Sequence, residues 1–264
     1  MSYKAYRTKE KIMVDGQLNE KSWLLAQKSP RFVDIINGGP ALYETRSAVL
    51  WDDEYLYVGY WIEEPYVQSE ITERDGLIFN ENNVELFIDG GDTYYEFEIN
   101  ALNTIYEVFF IWKDAYKKGG KYDVPEFDIY EKNVCTFGGN HDRIPKYFWN
   151  GTHPRGLRWA FKNWDFPGLK TAVHVDGIIN DQNKISKGWT VELAFPWSGM
   201  KWLANGRSLP PVEGDTWKFQ FARYEKLISL NKNVGWAWSS IGSDDNHRPE
   251  KFTKIEFSNT VVGE

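Results

Sequence analysis

Hydrophobic and polar positions alternate with a period of two along most of the chain, the pattern of strands that bury one face and expose the other. Such runs, rich in β-branched and aromatic residues, predict strands over residues 11–14, 45–51, 55–63, 84–89, 94–100 and 104–112. Further strands are predicted over 172–176, 189–195, 217–224, 235–238 and 252–257, with turn segments such as Ser208-Leu209-Pro210-Pro211 between them. A single short helix is predicted over 19–27, with Asn19 as N-cap and Trp23, Leu24 and Ala26 as its buried side. Many short strands and one helix imply an all-β fold, a two-sheet antiparallel β-sandwich of immunoglobulin-like or jelly-roll-like form.

The hairpin over residues 84–100 carries the densest chemistry. Val84, Leu86 and Ile88 alternate with Glu85, Phe87 and Asp89, and Tyr95, Phe97 and Ile99 alternate with Tyr94, Glu96, Glu98 and Asn100. Gly90-Gly91 supplies the positive φ of a tight turn. A two-residue turn there sets Glu85 opposite Glu96, and a three-residue loop sets it opposite Phe97; the sequence leaves both registers open. In the first, two like charges face one another, a pair that a cation or a hydrogen-bonding ligand relieves. A solvated strand face is the plainer alternative.

Between residues 113 and 170 the alternation lapses into an irregular segment holding Tyr116, Tyr122, Phe127, Tyr130, Phe137, Tyr147, Phe148, Trp149, Trp159, Phe161 and Trp164. That many aromatics fit a packed cover or a satellite apolar cluster better than disorder. With no Pro-, Gly- or Ser-rich linker, residues 1–264 read as one domain with an insertion at about 113–170. Aromatic residues make up 17% of the chain, enough for a core and for a surface site besides. A net charge of −7 and an acidic isoelectric point exclude nucleic acid as the expected partner and favour neutral or cationic ones.

Cys135 stands alone, so neither an intrachain disulfide nor a cysteine-rich zinc site can form. His141, His153, His174 and His247 are scattered, and no nucleophile elbow or phosphate loop is present. The N-terminus lacks the apolar core of a signal, and no run of about 18 apolar residues occurs, so the chain as written reads as soluble and cytoplasmic, without a membrane partner. A mature extracellular form whose signal had been replaced reads the same.

Three segments then fall in a familiar order: Val14-Asp15-Gly16-Gln17-Leu18-Asn19-Glu20-Lys21-Ser22-Trp23, Trp51-Asp52-Asp53-Glu54-Tyr55-Leu56-Tyr57-Val58 and Asn83-Val84-Glu85-Leu86-Phe87-Ile88-Asp89. Gly188-Trp189-Thr190-Val191-Glu192-Leu193-Ala194-Phe195-Pro196-Trp197, Gly214-Asp215-Thr216-Trp217 and Arg248-Pro249-Glu250-Lys251-Phe252 continue it. In this order they resemble the carbohydrate-binding module family 9 across most of the chain outside the insertion. The resemblance implies a β-sandwich that binds a mono- or oligosaccharide without catalysis, often beside glycan-degrading enzymes in polysaccharide catabolism, and with structural Ca2+ in some members.

By that resemblance, one aromatic platform falls at Phe79, where the family places Trp, and the second in the strand holding Trp236 and Trp238. Glu85 and Asn100 match family hydrogen-bonding positions, and Glu98 stands where a basic residue is expected. Thr253 replaces the usual glycine after the Pro-Glu-x-Phe turn. From their places on a strand end and in a polar loop, Arg223 and His247 join the ligand-binding candidates, although Arg223 equally suits an ion pair across the sheet and Trp236 and Trp238 equally suit the core. Asp89, Asp92 and the turn carbonyls form the candidate calcium site, since that ion takes oxygen ligands. The competing expectations are a glycan hydrolase using two carboxylates, a haem carrier with a His or Met axial ligand, and a structural module without a pocket.

Overall fold

A computed structural model describes residues 2–138, 152–227 and 230–264. In chain order the elements are β1 (Ser2–Arg7), α1 (Lys21–Leu25), β2 (Val33–Asp34), β3 (Thr45–Trp51), β4 (Tyr55–Glu63), β5 (Asn83–Asp89), β6 (Thr93–Ile99) and β7 (Ile105–Trp112). They continue with β8 (Val134–Phe137), β9 (Arg158–Phe161), β10 (Lys170–Asp176), β11 (Gly188–Pro196), α2 (Lys201–Ala204), β12 (Thr216–Leu227), β13 (Lys232–Ala237) and β14 (Thr253–Val261). Hydrogen bonds link the strands in the order β10-β11-β4-β3-β1-β14-β12-β5-β6-β7-β9-β8, with β13 beside β12 and β2 beside β13.

This ribbon folds back on itself into a sandwich whose inner faces meet through aromatic rings. Tyr60 of β4 packs on Phe221 of β12 at 6.0 Å, Phe195 of β11 on Phe97 of β6 at 5.8 Å, and Trp51 of β3 on Phe257 of β14 at 5.7 Å. Tyr60 also donates its hydroxyl to the Glu85 carbonyl at 2.8 Å, a hydrogen bond between the layers that satisfies a buried polar group. Among the described residues no helix is long and apolar enough to cross a membrane.

The sandwich expectation holds, with one amendment. β1 was not predicted, and it runs parallel to both β14 and β3, so the sheet is not wholly antiparallel. Its two inward residues, Tyr3 and Ala5, are too few to reveal an alternating run in a hexapeptide. Residues 11–14 form no strand; Ile12 instead packs near Trp23. The helix is shorter than predicted, because Ser22 N–H is capped by the Glu10 carboxylate at 2.8 Å and not by Asn19. Trp23 is buried as expected and donates to Glu192 at 2.7 Å, whereas Leu24 faces solvent.

The β5–β6 hairpin adopts neither expected register. Glu85 faces Glu98, Phe87 faces Glu96 and Asp89 faces Tyr94, while Gly90 N–H donates to the Thr93 carbonyl at 2.9 Å. The turn is therefore centred on Gly91-Asp92, with Gly91 at φ +77°. A Cβ on Gly90 would sit 2.9 Å from the Leu203 backbone of α2, so helix packing calls for glycine there although the turn lies one residue along. Every pairing shifts by two positions, which leaves each side chain on the face expected for it.

The insertion extends the second layer. β9 pairs with β7 and β8 with β9, while Phe127 and Trp164 cover Phe109 at 5.0 and 4.6 Å. Tyr147, Phe148 and Trp149, counted among its aromatics, lie outside the described residues.

Candidate functional site

The outward face of β5, β6, β7, β9 and β8 curves into a cleft of about 1000 Å3, closed on one side by Tyr224 of β12 and by residues 244–247 of the loop after β13. Alternation places its side chains: inward-facing Leu86, Phe97 and Phe109 belong to the main core, and their neighbours Glu85, Phe87, Glu96, Glu98, Val108 and Phe110 turn toward the cleft. Tyr106 and Phe110 form an apolar floor, Phe137 packs edge-on against Phe110 at 5.3 Å, and Phe79 rises from a one-turn 3-10 segment over Tyr106 at 5.6 Å. Phe79 is 44% exposed, which leaves its ring free for a ligand face.

Three carboxyls from adjacent strands converge on this space. Glu85, Glu96 and Glu98 are 4%, 7% and 1% exposed. Glu85 accepts one hydrogen bond, from the Asn246 amide at 2.7 Å, and that amide is held in place by Gln220 and Tyr224 at 3.2 and 3.3 Å. Glu98 accepts from Asn83 at 3.3 Å and shares a hydrogen bond with Glu96. Burial pushes the Glu85 carboxyl up to about 8, with the Asn246 hydrogen bond opposing and the Asp245 charge adding to it. Burial first, and the neighbouring carboxylates next, hold Glu96 and Glu98 well above the usual carboxylate range.

His247 stands at the end of the row, among the rings of Phe87, Phe110 and Phe137, with Nδ1 3.1 Å from the Tyr94 hydroxyl and Nε2 3.5 Å from Glu96. Burial, reinforced by the Arg158 charge, drives its pKa well below the ordinary imidazole value, so the ring is neutral and cannot act as a counter-ion. The cleft thus combines neutral carboxyl groups able to donate and accept, an amide, an imidazole, the Lys162 side chain and exposed ring faces.

The sequence candidates separate into groups. Phe79, Glu85, Glu98 and His247 all line the cleft. Asn100 is fully buried beneath it; its amide donates to Ile71 O and Glu81 at 2.8 and 2.7 Å, and its oxygen accepts from the Leu102 and Thr104 N–H groups. It therefore fastens the neighbouring loops. Arg223 lies on the opposite face of β12, paired with Glu225 at 2.6 Å and Glu64 at 3.4 Å and bonded to Thr45 at 2.9 Å. Trp236 and Trp238 are 3% and 7% exposed in the sandwich interior, Trp238 lying 4.7 Å from Phe221 and 4.8 Å from Tyr3. Neither ring reaches the cleft.

At the β5–β6 turn, Asp92 is ion-paired with Arg155 at 2.8 Å, and the same guanidinium donates to the Gly91 carbonyl at 2.6 Å. Asp89 accepts from Gly91 N–H at 2.8 Å. Arg155 thus engages the Asp92 carboxylate and the Gly91 carbonyl, while Asp89 is held by a backbone N–H. No group of three or more His, Cys, Asp or Glu side chains disposed to hold a metal occurs among the described residues.

Tyr106, Phe110, Phe137 and Asn246 were not singled out from the sequence. β7 is apolar on both faces, so periodicity could not tell its cleft side from its core side. Phe137 sits in the insertion, and Asn246 in a polar loop whose fold brings it to Glu85 from 161 residues away.

No family model matches the chain. Solved structures of similar fold include a proposed carbohydrate-binding protein from Bacteroides uniformis, 17% identical with a TM-score of 0.62 over 97% of this chain and 98% of that one. Two structures of a family 9 carbohydrate-binding module from Caldicellulosiruptor kristjanssonii are also similar. The one holding cellotriose is 14% identical with a TM-score of 0.52 over 97% and 94% of the two chains. The one holding glucose is 13% identical with a TM-score of 0.51 over 99% and 98%. The chain has the fold of family 9 carbohydrate-binding modules along nearly its whole length.

Proposed function

We propose that the protein is a non-catalytic carbohydrate-binding module whose ligand lies in the cleft over β5, β6 and β7. The observation that carries this reading is the convergence of an exposed ring, Phe79, with three buried carboxyls and the Asn246 amide around one concave space. A pyranose offers an apolar C–H face to such a ring and hydroxyls to such groups. The modules of like fold holding glucose and cellotriose support a mono- or oligosaccharide as the ligand. A role beside glycan-degrading enzymes in polysaccharide catabolism follows from that reading.

One stacked ring and a few exchanged hydrogen bonds give limited net free energy, so dissociation constants on the order of micromolar to millimolar are expected. Calorimetry against a panel of mono- and oligosaccharides, followed by Phe79→Ala and Glu98→Gln, tests the assignment. Binding that both substitutions weaken about tenfold or more supports it. A panel without a single binder removes it, and release of reducing sugar from the panel would replace it with a hydrolase.

A further inference from the structure

The other buried glutamates among the described residues meet a guanidinium or, for Glu192, the Trp23 indole and two backbone N–H groups. Glu64 and Glu225 meet Arg223, and Glu107 meets Arg74. Glu85, Glu96 and Glu98 break that habit. They are more than nine-tenths buried, yet among the described residues their hydrogen-bonding contacts are the Asn246 and Asn83 amides, a neutral imidazole and one another, while Lys162 on the cleft wall and Arg158 act on Glu96 through their charge. Only one oxygen of Glu85 is hydrogen-bonded, although the side chain lines the cleft.

Burying carboxyls beside each other without a directly paired guanidinium or ammonium costs folding free energy that a hydroxyl or amide in their place would spare. A neutral sugar does not need this arrangement, since one carboxylate and an amide orient its hydroxyls. A ligand carrying an ammonium does use it: several carboxyl oxygens satisfy its three N–H donors, and its charge favours the ionised form of carboxyls that burial otherwise keeps protonated. The ring face of Phe79 and the floor of Tyr106 then cover the apolar side of the same ligand.

We propose that the ligand of this cleft is an amino sugar, a saccharide with a free amino group, or its oligomer, whose ammonium sits among Glu85, Glu96 and Glu98. This rests on the carbohydrate-binding reading above and narrows it. Seating the ammonium ionises carboxyls that are protonated in the free protein, so binding releases protons to the buffer.

Three β-1,4-linked tetrasaccharides make the test: cellotetraose, its N-acetylglucosamine counterpart and the fully deacetylated glucosamine tetramer, which differ only in a hydroxyl, an acetamido or an ammonium group. Calorimetry on the whole chain in two buffers of different ionisation heat should show the deacetylated tetramer binding at least tenfold tighter than the other two, with proton release. Glu96→Gln with Glu98→Gln, its folding checked by melting, should erase that preference. Cys135, the lone thiol, is half-buried on the cleft wall, and bound tetramer should slow its alkylation by iodoacetamide.

Equal or tighter binding of cellotetraose overturns the amino-sugar proposal and leaves the carbohydrate reading standing. Tighter binding of the tetramer that neither shields Cys135 nor responds to the double substitution is attraction to the acidic surface and overturns it too. Absence of binding by all three removes both readings.

Discussion

Glu85 couples the cleft to folding through its proton. Its carboxyl titrates at about 8 in the folded chain because burial disfavours the charge, whereas in the unfolded chain it returns to the ordinary carboxyl value of 4.5. The fold therefore favours the protonated form. Its stabilising contribution is complete below the ordinary value and is lost as pH rises through about 8. The melting temperature should fall on the order of several degrees between pH 5 and pH 9. Glu85→Gln keeps a neutral, hydrogen-bonding side chain, so calorimetric melts of that variant should show a clearly flatter profile; an unchanged slope would rule Glu85 out as its source. Aromatic residues divide just as sharply. Phe79→Ala should change stability by less than about 1 kcal/mol while weakening any cleft ligand, whereas Trp238→Ala should cost about 3–5 kcal/mol by opening a cavity in the core. The sequence left Trp238 equally suited to core and platform, because an aromatic residue on a strand signals neither burial nor exposure; only the layer packed above it decides.

At the scale of the element, the β5–β6 hairpin joins turn chemistry to the alignment of the carboxyls. Gly91 lies at φ +77°, and a Cβ there would also come within 2.6 Å of the Asn205 side chain. Gly91→Ala should therefore destabilise by roughly 1 kcal/mol or more, read as a lower denaturation midpoint. Arg155 spans Asp92, Asp114 and the Gly91 carbonyl, so added calcium or chelator should leave the melting temperature within about 1 °C of its starting value; a clear upward shift with calcium would show that the ion displaces the guanidinium. The hairpin was legible in the glycines and the alternation, down to which residues share a face. Its register was not, because Gly90 is called for by its approach to Leu203, a contact between segments more than 100 residues apart, and so does not mark the turn's centre as its sequence suggests. The extension of the sheet by β8 and β9 escaped notice for a related reason: four-residue strands are too short for alternation to announce them.

On the scale of the whole molecule, the order of motifs along the chain was enough to expect a sandwich of this family's fold, but not the way its two layers close. Closure falls to β1, which lies between β3 and β14 and joins one layer to the other. Tyr3 donates to Gln27 O at 2.5 Å, accepts from Val49 N–H at 3.1 Å and packs edge-on against Trp238, while Trp51 donates its indole N–H to both Ala5 O and Ser258 O. Deleting residues 2–7 would empty the space under Trp238, leave β3 and β14 as open edges and leave the Trp51 indole N–H with Ser258 O as its one acceptor. The loss should be on the order of 4 kcal/mol, about 8–16 °C in melting temperature. The cleft lies on β5, β6, β7, β8 and β9 together with the loop after β13, away from this seam. Below its lowered midpoint the truncated chain should therefore bind the same saccharide with affinity unchanged within about twofold. Thermal melts paired with calorimetry at 10 °C separate the two effects, and a truncated chain that stays folded but no longer binds would mean that the seam shapes the cleft as well as closing the sandwich.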